Sequence, residues 1–272
     1  MLNEWNGKSR GYDRVRDWLN ERCGIFYSDT KRELLTHRLG RVVDQFQLSG
    51  LDELADIIEY DTRHDVVLAV MHAASTNYTY FFREPQGLDF FRDTILPSLS
   101  GQAEIRVWSA AASSGDEAYT LGIIAAEACG IEAAQRRVSI LGTDISEPTL
   151  SIAERGIYKS NHVESVTQSV MSRYFKSVGI EQYRISKEIS AMCTFRRLNL
   201  KAFPYPFRRE FDVVFCRNVL YYFDKFHQNA VLEAIYDVTA PGGWLITSVT
   251  EAVRELGTRW SPIGGGIYRK EK

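Results

Sequence analysis

No stretch of the 272-residue sequence is apolar over a membrane-spanning length, and its first residues, MLNEWNGKSR, lack the apolar core of a signal peptide. Cysteine is scarce. Cys23, Cys129, Cys193 and Cys216 are dispersed through apolar surroundings, which excludes a disulfide framework and predicts reduced core thiols. The five histidines are scattered without metal-ligand spacing, so no metal site is expected. Neither sign of charge dominates: 35 acidic against 33 basic residues leave a net charge of -2, which offers nucleic acid no global positive field. Internal repeats and low-complexity tracts are absent as well. With 44% apolar and 25% charged residues, the composition is that of a soluble globular protein, expected in the cytoplasm.

What is present divides into two regions of different period. From residue 11 to about 75 the pattern is helical throughout. Val15, Trp18, Leu19 and Arg22 follow the spacing of a short amphipathic helix. Thr30 and Glu33 read as a capping box opening a second helix with Leu35, Leu39, Val42, Val43 and Phe46 inward. Leu54, Ile57 and Ile58 mark a third helix, and Val66, Val67, Val70, Met71 and Ala74 a fourth.

Beyond residue 100, strands alternate with helices. IRVWSA (105–110), VSILGTDI (138–145), FDVVFCRN (211–218) and GWLITSV (243–249) read as strands. Helices are expected over Gly115 to Ala128, up to about Arg155, and over 225–239. This alternation predicts an α/β fold whose mainly parallel sheet carries helices on both faces and binds ligands at the carboxyl ends of its strands. The stretch 156–210 breaks the rhythm. YRIS (183–186), ISAM (189–192) and TFRRL (194–198) are β-prone, predicting a small antiparallel insertion before a main-sheet strand that ends near Leu198.

The residues following the strands carry the chemistry. The first strand runs into Ala110-Ala111-Ala112-Ser113-Ser114-Gly115-Asp116-Glu117, where small residues permit either close approach of a nucleotide-like cofactor or merely tight helix–strand packing. The second ends in Asp144, placed either to accept ribose hydroxyls or to cap the next helix, a role Ser146 fills equally well. A third ends in Asn199-Leu200, one amide for a base edge and one apolar surface for its face. Arg217, Asn218 and Tyr222 follow the fourth, where packing alone does not account for them. Four such strand ends together favour a cofactor site.

STNYTYFFRE (75–84), VWSAAASSGDEAY (107–119), GTDIS (142–146) and FCRNVLYYFD (215–224) resemble, in order, the motifs of the CheR-type chemotaxis receptor methyltransferases. The resemblance covers nearly the whole chain. It implies a small all-α receptor-recognition domain over residues 1–75 and a linker over 76–100 that contributes to the cofactor site. A class I, Rossmann-like methyltransferase domain follows over 101–272, with a β-subdomain inserted at about 160–195. The implied cofactor is S-adenosylmethionine and the implied product S-adenosylhomocysteine. Asn77, Thr79 and Arg83 close over the cofactor, Glu117 and Asp144 hold its polar parts, Asn199 and Leu200 flank the adenine, and Arg217 and Asn218 lie beside the methionine portion. Arg83 and Tyr222 are the expected catalytic pair. The loop SSGDEAY departs from the commoner STGEEPY but keeps Gly115 and Glu117.

The implied reaction esterifies glutamate carboxylates of a methyl-accepting chemotaxis receptor, with the enzyme acting as a monomer. Lys31, Arg38 and Arg41 fall at i, i+7 and i+10 on the second helix, either as a solvated face or as a basic surface that docks an acidic receptor stalk. The resemblance favours docking. Family members that also grip a receptor's C-terminal pentapeptide have a longer, glycine-rich loop in the insertion. Here YFKSVGIEQYRIS (174–186) is short, with only Gly179, so recognition without that tether is expected. Methyl transfer to nucleic acid or a small molecule, and a non-catalytic cofactor-binding regulator, are the rival readings. The Asn/Asp-Pro-Pro-aromatic motif of base-amino methyltransferases is replaced here by Arg217-Asn218-Val219-Leu220.

Overall fold

The computed structural model describes residues 10–75, 79–251, 253 and 257–271. The helical region is a bundle of α1 (Arg10–Cys23), α2 (Arg32–Gln45), α3 (Leu51–Glu59) and α4 (His64–Ala74). Their apolar faces close one core in which Val15, Leu19, Leu35, Leu39, Leu54, Val66 and Val70 are fully buried. The capping box at Thr30 and Glu33 does not form. Ser28 and Thr30 hydrogen-bond each other through their hydroxyls at 2.8 Å, Asp29–Lys31 make a 3₁₀ turn, and α2 starts without a side-chain cap.

Part of the expected linker is a helix of the second domain. α5 (Pro85–Phe90), a π-helical turn (Phe91–Ile95) and α6 (Leu96–Ser98) run on without a break. They lay Phe91 edge-on against Phe215, ring centroids 5.5 Å apart, and Phe90 against Trp244 at 5.4 Å.

The main sheet comprises β1 (Ile105–Ser109), β2 (Val138–Asp144), β6 (Cys193–Arg197), β7 (Phe211–Phe215), β8 (Thr239–Ile246), β9 (Ser261–Gly264) and β10 (Ile267–Arg269). They lie in the order β6-β2-β1-β7-β8-β10-β9, with the first five parallel and β10 and β9 antiparallel. Alternation divides the strand residues between two cores. Val107, Ile140, Val213 and Ile246 face one, with α7 (Asp116–Cys129) and the helix from Pro85. Trp108, Val214 and Leu245 face the other, with α13 (Lys225–Asp237). α8 (Ile131–Arg137) precedes β2 and α9 (Glu147–Arg155) follows it. From β1 the chain winds outward to β2 and β6, then returns to β7 on the other side. That reversal opens a crevice at the strand carboxyl ends.

The insertion is a second sheet of β3 (Ile157–Lys159), β5 (Gln182–Ile185) and β4 (Phe175–Gly179), all antiparallel, with α10 (Ser160–Val163) and α11 (Gln168–Tyr174) between β3 and β4. ISAM, expected to be β-prone, is not a strand. Ser186 accepts the Ile189 N–H and caps a short α12 (Lys187–Ser190) across it. The cysteine expectation needs one correction as well. Cys23 and Cys216 are buried and Cys193 is half-buried, but Cys129 is exposed where α7 ends in solvent beyond the sheet. Among the described residues no helix is long and apolar enough to cross a membrane.

The bundle is closed by a backbone contact that leaves no room for a side chain. A Cβ on Gly11 would stand 2.5 Å from the Asp52 nitrogen and the Leu51 carbonyl carbon at the start of α3. Backbone on that side cannot yield as a flexible side chain would. Gly11→Val is therefore expected to lower stability by about 1–3 kcal/mol through overpacking, measured as a lower urea midpoint.

Candidate active site

The cleft at the strand ends encloses about 1220 Å³ of empty space, counting its open mouth. Thr79, Arg83, Glu117, Asp144, Asn199, Leu200, Arg217, Asn218 and Tyr222 all line it. Asn77 lies outside the described residues. The helical domain supplies Cys23, Ile25 and Ser75 to the same wall.

The loop after β1 is held between its neighbours: the Ala110 N–H donates to the Phe215 carbonyl, and the Ala112 N–H to that of Thr143, each at 2.8 Å. Ser113 and Gly115 take positive φ, 49° and 87°. A Cβ on Gly115 would meet the Ala153 Cβ at 2.7 Å, so this glycine serves both the turn and the packing of α9. Asp144 joins the two loops, since its carboxylate accepts the Ser113 and Ser146 N–H groups, each at 2.9 Å. Burial pushes its pKa up, with these backbone donors opposing. Ser146 precedes α9, but its hydroxyl pairs with His72 Nδ1 of α4 at 2.7 Å, across the domain junction.

Arg217 is the hub. Its side chain is 4% exposed and donates to Glu117 Oε2 at 3.0 Å, to the Arg83 carbonyl at 2.6 Å and to the Glu84 carbonyl at 3.1 Å. Ser109 donates its hydroxyl to the other Glu117 oxygen at 2.7 Å. Asn218, at φ 58°, donates to Glu84 Oε1 at 2.8 Å. Burial works against the Glu84 carboxylate, but bonds from Asn218 and Ser248 and the field of Arg217 hold its pKa below the ordinary value. The resemblance sets Arg217 and Asn218 beside the cofactor; the structure shows both fastening the segment that carries Arg83.

Asn199 is committed to structure on both sides of its amide. It donates to the Arg22 carbonyl at 2.8 Å and accepts the Lys201 N–H at 2.9 Å. Arg38 is half-buried and turned inward, with Nη1 donating to Tyr27 Oη at 3.0 Å and to the Ala74 carbonyl at 3.2 Å at the end of α4. Lys31 and Arg41 remain exposed. Tyr222 is half-buried, its hydroxyl accepting from Tyr221 Oη at 3.5 Å and its carbonyl accepting the Phe26 N–H at 2.8 Å.

Two groups escaped sequence reasoning. Glu251 accepts the N–H groups of Asn218, Val219, Leu220 and Ser248 at 3.2, 2.9, 2.8 and 2.9 Å, shaping the loop that carries Tyr222. Its signal was an acidic residue just past the fifth parallel strand. The other is the contact of fully buried Asp116 with His162 Nδ1 of α10 at 2.6 Å, for which no local pattern exists.

The fold and cleft define a doubly wound enzyme domain that takes a nucleotide-type cofactor. Carboxylates at Asp144 and Glu117 suit hydroxyl and ammonium donors, and Ile145, Leu198 and Leu200 offer apolar walls to a flat ring. Residues 77–267 match the model of the CheR methyltransferase SAM-binding domain, and residues 10–71 match the CheR methyltransferase all-alpha domain. Three relatives are each named chemotaxis protein methyltransferase. That of Borreliella burgdorferi is 31% identical, covering 85% of this chain and 84% of its own. The Escherichia coli protein is 30% identical over 96% and 91%, and the Klebsiella aerogenes protein 32% over 96% and 90%. The chain belongs to the CheR methyltransferase family, and S-adenosylmethionine is its cofactor.

The Asp116 hydrogen bond raises the His162 pKa above the ordinary 6.5, with partial burial and Lys159 opposing. A raised imidazole value means the charged pair contributes its full stability below the unfolded pKa and loses it as pH rises through the folded one. The stability difference between wild type and His162→Gln is therefore expected to be larger at about pH 6 than at about pH 9. Urea midpoints at both pH values, with an NMR titration of the imidazole, measure this; a midpoint at or below 6.5 contradicts it.

Proposed function

We propose that this methyltransferase esterifies glutamate side chains of a chemotaxis receptor. The observation that carries the reading is the match of both domains to one methyltransferase family, with the motif residues converging on a single cleft. S-adenosylmethionine supplies, when bound, a methyl group on a sulfonium, a donor already activated by its positive charge. A glutamate carboxylate, with a pKa of roughly 4.3, is ionised at neutral pH and needs no general base. No histidine lines the cleft among the described residues. Bound there, the cofactor would supply its methyl carbon to the acceptor oxygen, with the electron pair of the carbon–sulfur bond going to sulfur. The products of that transfer would be a methyl ester and S-adenosylhomocysteine.

In this reading the chain's own groups supply alignment and exclusion of water. Asp144 receives the ribose hydroxyls while its two backbone donors hold it still. Leu200 backs the adenine. Asn199 fixes that wall against α1 and has one amide hydrogen left for the base edge. Arg83 steers the acceptor carboxylate, and the Tyr222 hydroxyl orients it. Thr79 closes over the cofactor from the segment that leads to Arg83. Lys31 and Arg41 dock the acidic receptor stalk, with Arg38 supporting that surface from within.

The assay is direct. The chain, labelled cofactor and chemoreceptor-bearing membranes are expected to yield label that mild alkali releases as volatile methanol. Alkali-stable label would instead indicate methylation at nitrogen or carbon, and no label a binding protein.

The insertion supports recognition without a C-terminal tether. Gly179 pairs with Gln182, so β4 and β5 are joined by Ile180 and Glu181 alone. Such a turn has no slack with which to clasp a peptide end. Titration with a receptor C-terminal pentapeptide is expected to give no binding heat at peptide concentrations up to about 1 mM. Saturable micromolar binding would refute tether independence.

A further inference from the structure

A glutamate carboxylate extends only a few bonds from its own backbone. The main chain of an acceptor segment must therefore lie on the residues framing the cleft mouth, one side chain's length from Tyr222. Those residues expose more apolar surface than admission of a carboxylate requires. Tyr221 lines the cleft and is 48% exposed, with its ring centroid 4.5 Å from that of Tyr222. Phe26 is 51% exposed, follows the cleft-lining Ile25, and is tied to the same place by its N–H bond to the Tyr222 carbonyl. The two exposed rings thus come from different domains. Leu34 is 45% exposed on α2, one turn from exposed Lys31 and two from exposed Arg41. Single exposed apolar residues need no explanation, but two exposed rings beside one opening mark an interaction surface.

We infer that Phe26 selects the acceptor segment by packing against an apolar side chain about one helical turn from the methylated glutamate, with Tyr221 on its other side. The inference rests on the proposed receptor function. On a helix, positions three and four away from the acceptor share its face and fall on the rim when the glutamate enters the cleft. Charge identifies the occupant. No ion pair of Lys31 or Arg41 occurs among the described residues; Arg41 stands on the α2 flank that also carries Leu34, and Lys31 immediately precedes that helix in the 3₁₀ turn. A helix alternating acidic and apolar positions on one face complements that surface. A free small-molecule carboxylate would touch none of it.

The test uses the full chain and a purified chemoreceptor cytoplasmic fragment that the wild type esterifies. Phe26→Ser is expected to raise KM for the fragment about tenfold, leaving kcat at saturation and S-adenosylhomocysteine affinity unchanged. Phe26→Leu should recover most of that loss. Placing Asp in the fragment one turn from the methylated glutamate should raise the wild-type KM similarly, yet add little to Phe26→Ser. An unshifted KM in a Phe26→Ser protein that still binds S-adenosylhomocysteine normally overturns the inference. So does a parallel loss of S-adenosylhomocysteine affinity, which would place Phe26 in the cofactor wall. A wild type that forms no alkali-labile ester on any receptor fragment overturns the receptor function and this inference together.

Discussion

The site depends on one buried cation. A guanidinium stays charged throughout the accessible pH range, and an isolated charge inside a protein is strongly unfavourable, so Arg217 must find anionic or carbonyl partners wherever the chain places it. It finds them in Glu117 on the first turn of α7 and in the carbonyls of Arg83 and Glu84. One side chain thereby joins the end of β7, the loop after β1 and the segment leading out of the helical domain. With Asn218 holding Glu84, the position of Arg83 over the cleft follows from the interior rather than from the surface.

The carboxylates around that hub differ according to what surrounds each one. Glu84 is held low in pKa by side-chain donors and nearby guanidinium charge. Asp144 and Glu251 are pushed up by burial, their opposing neighbours being backbone N–H groups. A buried loop must satisfy its own amides, and these two residues do so for the loops after β1, β2, β7 and β8. A loop satisfied in this way is stiff enough to present a cofactor site built on irregular backbone.

Long periodic elements were legible from sequence because their signal is local. The four bundle helices carry a 3.6-residue period and the parallel strands short apolar runs. β8, however, begins at Thr239, before the expected 243, in a stretch where Pro and Gly give no apolar signal. Residues 189–192 were misread because three- and four-residue elements have too few positions to show a period, and the Ser186 cap decided the outcome. The strand-end residues line one cleft because parallel topology brings strand ends together whatever lies between. What stayed hidden was pairing across distance. His162 meets Asp116 from 46 residues away, and Arg38 meets Ala74 from 36. Arg38 read as part of a surface stripe because spacing places a residue on a flank without showing where its guanidinium turns.

The last turn of α1 carries a consequence for exchange between relatives. Carbonyls left open at a helix end need donors, and here the donors belong to the other domain. Lys201 serves Asn20 and Glu21, and Asn199 serves Arg22. The helical domain is therefore not a detachable cartridge. Grafting another relative's bundle onto this catalytic half would preserve its terminal hydrogen bonding only if the graft ended in the same register, so the cleft wall at Asn199 and Leu200 and the last turn of α1 are inherited together in this chain.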